Sequence, residues 1–195
     1  MTVFSTQCCK RFNLWSLGLA LLIAFCATGW AASSHLDIKS AELSPRGEQY
    51  VLNADFDLSF SPAVQEALSK GLPLHFLMEF QLTKPQRYWF DDEIVTSTSH
   101  VSISYHALSR QYLLNIDQQQ SAHSTLQEVR ERFTRVRNWL VLDKTLLKAG
   151  VPYQAALRIR LDASKLPQPL RVDALGSQDW SLISPRYRWT PDLDL

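Results

Sequence analysis

"QYVLNADFDLSF", Gln49 to Phe60, decides how the chain is read. Tyr50, Leu52, Ala54, Phe56, Leu58 and Phe60 fall on one side, and Val51, Asn53, Asp55, Asp57 and Ser59 on the other. A helix needs apolar residues at three- and four-residue steps, whereas a strand sends successive side chains to opposite faces. Gln49 to Phe60 therefore predicts a strand with one buried and one wet face, the habit of antiparallel sheets. The pattern recurs in "PLHFLMEFQL", where Leu74, Phe76, Met78, Phe80 and Leu82 oppose His75, Glu79 and Gln81. "HVSISYHA" puts Val101, Ile103 and Tyr105 inward, and "RQYLLNI" does so with Tyr112, Leu114 and Ile116. "ALSR", shared between them, is short enough for a hairpin connection.

The second half continues with "YQAALRIRL", whose buried side is Tyr153, Ala155, Leu157, Ile159 and Leu161. "PLRVDAL" predicts another strand through Leu170, Val172 and Ala174, entered at Pro167 and Pro169, and "QDWSLISPRYRW" one or two more. Helices are few. "SPAVQEALSKG" has Ser61 to cap, Pro62 at the first position and Gly71 as a stop. "STLQEVRERFTRVRNWL" opens with Ser124 and Gln127 spaced as a capping box. Its Leu126, Val129, Phe133, Val136 and Leu140 form one narrow apolar stripe, which predicts the longest helix. A third, short turn is predicted in "DKTLLKAG". The expected fold is mainly β: an antiparallel sandwich of roughly nine strands with two or three short helices, the longest packed on one side. An open sheet packed on that helix is the alternative.

The 195-residue chain is 46% hydrophobic and 20% charged, ordinary for a folded domain, but its first segment is distinct. Lys10 and Arg11 precede "LWSLGLALLIAFCATGWAA", after which the sequence turns polar at "SSHLD". Residues 1–31 read as a signal peptide, with Gly29 and Ala31 suited to cleavage after Ala31. The competing reading is an uncleaved anchor, since the run approaches the roughly 20 residues that span a bilayer. Either way residues 32–195 are expected to form a single exported domain, in the periplasm or on the periplasmic face of the inner membrane. Membrane contact would come through the leader if it is retained. Cys8, Cys9 and Cys26 all lie in this segment, so the mature domain has no thiol for a disulfide, a nucleophile or a metal site. The formal charge of +1 becomes −1 once Lys10 and Arg11 are lost, which gives no electrostatic reason to bind nucleic acid.

"RYWFDDE", Arg87 to Glu93, combines three aromatics with three acids. Read as the strand returning after "TKPQ", it sends Tyr88 and Phe90 to one face and Arg87, Trp89 and Asp91 to the other. Adjacent acids in a strand alternate faces, and no glycine permits a calcium-loop turn, so no metal site is predicted. Trp89 on the wetter face, with Tyr88, is the candidate ligand or partner platform. His100 and His106 share a strand face but stand some 20 Å apart, at about 3.3 Å per residue, so they are not a local ligand pair. His75 approaches them only if strands bring it there. The chain has no G-x-S-x-G elbow, S-x-x-K, H-E-x-x-H or glycine-rich phosphate loop, so no catalytic residue and no cofactor are assigned. The remaining candidate is basic. Arg158 and Arg160 share one strand face, Arg171 takes the outer face of the next predicted strand, and Arg186 and Arg188 flank Tyr187. Neighbouring strands would make these a docking patch for an acidic partner or anionic lipid. Arg130, Arg132, Arg135 and Arg137 on the long helix, tempered by Glu128 and Glu131, read as a solvated face suited to the helix dipole.

"YHALSRQYLLN", "NWLVLDKTLL", "YQAALRIRLDASKLPQPLRVDAL" and "DWSLISPRYRW", in this order, resemble an uncharacterised proteobacterial family of exported proteins, domain of unknown function DUF4390. The likeness covers nearly the whole mature chain. Trp139 is followed by Leu140 where the family pattern often has Trp-Pro. The resemblance carries over no catalytic residue. It implies a short exported bacterial protein whose gene often adjoins that of a membrane sensor kinase. The expected function is therefore binding: a non-catalytic envelope protein, accessory to a membrane sensor. A small-ligand or lipid carrier with a cavity between the sheets near Tyr88 and Trp89 is the first alternative, and a hydrolase the second.

Overall fold

The computed structural model describes residues 33–88 and 90–193, and for 172–175 the backbone path only. The predicted leader and Trp89 lie outside the described residues. Among the described residues, nine strands form two antiparallel sheets. The smaller contains β1 (His35–Arg46), β2 (Gln49–Ser59) and β7 (Arg135–Asp143), in the order β1-β2-β7. The larger contains β3 (Leu74–Lys84), β4 (Asp92–His106), β5 (Gln111–Ile116), β6 (Gln119–His123), β8 (Gln154–Leu161) and β9 (Tyr187–Trp189). Its order is β6-β5-β4-β3-β8-β9. Among the described residues three α-helices lie between strands: α1 (Pro62–Ser69) and α2 (Leu126–Phe133) connect the two sheets, and α3 (Gln168–Gly176) lies between β8 and β9.

The sheets face each other across one core. Tyr50, Leu52, Ala54, Phe56 and Leu58 of β2 meet Phe76, Met78, Phe80, Val101, Ile103, Leu157 and Ile159 of the large sheet, all nearly inaccessible. At about 1.5–3 kcal/mol for each large side chain buried, these faces drive the sandwich without any ligand. Phe133, at the end of α2, is the wedge between the layers. Its ring centroid is 5.0 Å from Phe56 of one sheet and 5.1 Å from Phe76 of the other. α1 starts as predicted: the Ser61 hydroxyl accepts from Val64 N–H, Pro62 follows, and Gly71 stands at φ 89 just beyond the end. Ser61 is fully buried and its own N–H donates to Ser34 Oγ at 3.0 Å. Ser34 Oγ in turn donates to the Asp179 carbonyl, which ties both ends of the domain to the α1 cap.

Several local expectations are corrected. The long helix ends at Phe133, and its predicted second half, from Arg135 to Leu140, lies in strand β7. The stripe misled because Val136 and Leu140 continue helical spacing while also fitting a strand bent by a bulge. Leu52 pairs with Trp139 but Ala54 with Val136, so Arg137 and Asn138 together oppose Asn53. Asn138 stands at φ 55, and its N–H donates to Asn53 Oδ1. Asn is among the residues that tolerate this left-handed backbone, and a continuing helix does not contain it. The capping box is also one residue later than predicted: Thr125 accepts from Glu128 N–H, and Glu128 accepts from Ser124 N–H.

"PLRVDAL" is in helix α3, not a strand. Pro169 fits the first helical turn, where a missing N–H costs nothing. The tail supplies only the three-residue β9 and a single bridge from Ile183 to Arg160; Trp180 lies in a 3-10 turn. "RYWFDDE" is mostly loop, and β4 begins at Asp92 and runs unbroken through "HVSISYHA". Three strands, β1, β6 and β7, were not predicted, so the matching strand number conceals a different set.

Candidate functional site

Period-two burial fixes where the candidate arginines point. Leu157, Ile159 and Leu161 face the core, so Arg158 and Arg160 face outward from the large sheet. Arg188 pairs in register with Ala156, on that same outer face. Arg186 reaches across β8 to Glu79 Oε1 at 3.4 Å and Gln81 Oε1 at 3.2 Å, both on the outer face of β3. The fold thus brings four of the five predicted arginines together. Glu79 is the acid among them. It bonds Arg186 and also lies opposite Arg158 in the β3–β8 register. Arg158, Arg160 and Arg188 have no ion-pair partner among the described residues.

Arg171 does not join them. It sits on α3, and its guanidinium donates to the Leu166 and Ser164 carbonyls at 2.8 and 2.6 Å, closing the turn before the helix. Tyr88 does not join them either. It lies in the loop between β3 and β4, 85% exposed, with Phe90 beside it at 95%. The acids of that segment are used locally: Asp91 and Asp92 accept from Gln86, and Glu93 from Thr96 and Gln81.

His35 lies on β1 of the small sheet, and His75, His100, His106 and His123 lie on the large one. His75 pairs with Ser102 and Leu77 with His100, so His75 and His100 are diagonal neighbours on the outer face. They border a cleft of about 410 Å³ with Asp162 and Lys165. His106 bonds Ser109 in its own hairpin. Among the described residues no group of three or more His, Cys, Asp or Glu could hold a metal. Ser121 Oγ stands 2.9 Å from His123 Nε2, and His123 Nδ1 stands 3.9 Å from Glu128 Oε2. The order resembles a serine relay, but the second distance exceeds a hydrogen bond, and that same carboxylate oxygen already accepts from Ser124 N–H. Glu128 therefore holds the start of α2, and the imidazole is not oriented by it as a general base requires.

A second concave region was not anticipated. The three-stranded sheet covers only part of the six-stranded one, and α2 roofs β5 and β6 beyond it. Between the free edge of β7 and these strands lies a cleft of about 400 Å³, with Met78, Ile116, Phe133, Val136 and Trp139 among its apolar lining. Arg132, Arg135 and Arg137 also line it. Arg137 is fixed by Asp55 at 2.6 Å and by the Ala54 and Val136 carbonyls at 3.0 and 2.7 Å. Reading 124–140 as one helix puts Arg130, Arg132, Arg135 and Arg137 on a solvated face. The turn at Thr134 gathers three of them.

Fold and surfaces together define a two-sheet β-sandwich domain with an arginine-rich outer face and a polar-rimmed cleft between its layers. The chain belongs to the family described as Domain of unknown function (DUF4390), whose model matches residues 33–190. No curated protein and no solved structure gives a match to the chain.

Proposed function

We propose that this protein acts by binding an acidic segment of an envelope protein on the outer face of the large sheet. A membrane sensor protein is the partner class we favour. The observation that supports this reading is the convergence of Arg158, Arg160, Arg186 and Arg188 on one sheet face, with Glu79 in ion-pair reach of one of them. Arginine forks on rigid strands suit carboxylates, and uncompensated charge of one sign speeds encounter with an acidic partner. The export signal read in the sequence supports this reading, since an exported domain would meet such a partner.

The test is site-specific crosslinking in intact cells from outer-face position Gln154, with Glu42 on the small sheet as control. A membrane protein crosslinked from Gln154, absent from Glu42 and lost in Arg158→Glu/Arg160→Glu, supports the reading. Capture undiminished by that reversal, with the variant folded, removes the arginine face from the function.

A further inference from the structure

We propose that the cleft between β7 and the β5–β6 hairpin binds a single-chain amphiphile with an anionic head. The inference is independent of the docking face, because the cleft opens between the layers and not on the outer side of the large sheet. It begins with the mismatch of sheet widths. Inward-facing Ile116 of β5 and Val136 and Trp139 of β7 are only half-buried, because the small sheet ends at β7 and no further strand covers them. Met78 and Phe133 complete an apolar floor, and Leu140 stands 50% exposed at the mouth. Apolar surface of this kind inside a concavity of about 400 Å³ matches the size and lining of small-molecule sites.

The rim carries the charge. Arg132 and Arg135 are exposed and have no hydrogen-bond or ion-pair partner among the described side chains, while Arg137 is a fixed cation at the same rim. The nearby acids are committed. Asp117 lines the cleft, but its carboxylate accepts from Ser99 Oγ at 2.6 Å and His100 N–H at 2.8 Å. Glu128 and Glu131 border the neighbouring depression on the same arginines, and they accept from Ser124 and Gln127. A fully apolar occupant would leave arginines desolvated and unpaired, whereas a bare anion would leave the floor wet. A molecule with a carboxylate or phosphate head on the arginines and a hydrocarbon tail on the floor satisfies both.

The test uses the protein purified in the form the cell leaves it. It is titrated below micelle concentrations with laurate, dodecyl phosphate and dodecanol, following heat and tryptophan emission. One of the two anions is expected to bind saturably at one site, with dodecanol at least about tenfold weaker, the least change expected on losing a charge-assisted hydrogen bond. Arg132→Gln/Arg135→Gln should weaken the anion by a similar factor without changing the unfolding temperature, since both side chains are exposed. Which anion binds tighter identifies the head as carboxylate or phosphate. Equal binding of dodecanol, undiminished binding in the double variant, or no saturable binding of either anion overturns the proposal. The double variant also separates the cleft from uptake by the apolar leader.

Discussion

Residues 124–142 offer a sharp test, because two readings assign opposite fates to adjacent residues. In a continuous helix Leu140 belongs to the buried stripe with Phe133, and Val141 lies off it. In the structure β7 leaves Leu140 50% exposed and buries Val141 to 3%. Leu140→Ala should then cost about 1 kcal/mol, roughly half the value of a fully buried leucine. Val141→Ala removes two buried methyls at about 0.8 kcal/mol each and leaves a small cavity, so about 2 kcal/mol is expected. Phe133→Ala should cost the most, about 3–5 kcal/mol, because its ring fills the space between Phe56 and Phe76. Urea unfolding followed by circular dichroism measures all three. An unchanged m-value lets each shift in midpoint be read as stability. Leu140→Ala costing as much as Val141→Ala would refute the strand assignment and return the segment to a helix.

Four further outcomes are expected. Asp117→Ala should cost about 2 kcal/mol by urea unfolding, since it strips charge-assisted bonds from Ser99 and His100 N–H, discounted for exposure. Gln118→Gly should stabilise by about 0.5 kcal/mol, because φ 73 strains a side chain there, and a loss of stability would contradict the turn geometry. Thr125→Ala should cost about 1 kcal/mol as a lost N-cap, whereas Ser124→Ala should be nearly neutral. The hydroxyl and N–H of Ser164 hold the Asp162 carboxyl below its ordinary range, despite an opposing effect of burial. A depressed carboxyl contributes stability above its unfolded pKa, near 4, and loses it as pH falls through the lower folded value. Asp162→Ala should therefore show a shallower stability loss on acidification below about pH 4 than the parent chain; identical profiles would rule out this contribution.

What the sequence disclosed follows the regularity of each strand. β2, β3 and β8 keep period two on their inward side, where every residue assigned is buried, although Val51 and Ala156 on the opposite side are buried as well. β1 escaped notice because Lys39 is an extra residue against β2: Ile38 pairs with Phe56 and Ser40 with Asp55. The buried side therefore changes from Leu36 and Ile38 to Ala41 and Leu43, and period two is broken in the middle. β6 is an edge strand with no apolar contrast, "QQSAH", so periodicity has nothing to register. Its turn was equally silent. Asp117 and Gln118 stand at φ 45 and 73 without glycine, held instead by the Asp117 contacts to β4. The arginine face was recoverable because parity alone assigns Arg158 and Arg160 outward, and neighbouring strands then add Arg188. The cleft was not, since it depends on two sheets of unequal width, which no single strand encodes.

That inequality also bears on what each surface can hold. Arg158, Arg160, Arg186 and Arg188 line neither cleft and stand on an open strand face, so a small molecule resting there would leave most of its surface in water. Arginine side chains on such a face gain little from one carboxylate at a time, because exposed ion pairs are worth only about 0–1 kcal/mol each. Useful affinity there requires many contacts together, which an extended acidic segment provides and a metabolite does not. The cleft has the opposite arithmetic. It is too narrow for a folded partner, yet its floor is apolar and its arginines stand at the edge of a low-dielectric space where a single anion interacts more strongly. Raising salt therefore discriminates between them: binding on the outer face should weaken steeply with ionic strength, while an amphiphile held largely by its tail should lose much less. A steep salt dependence of laurate binding would move the anion out of the cleft and onto the sheet.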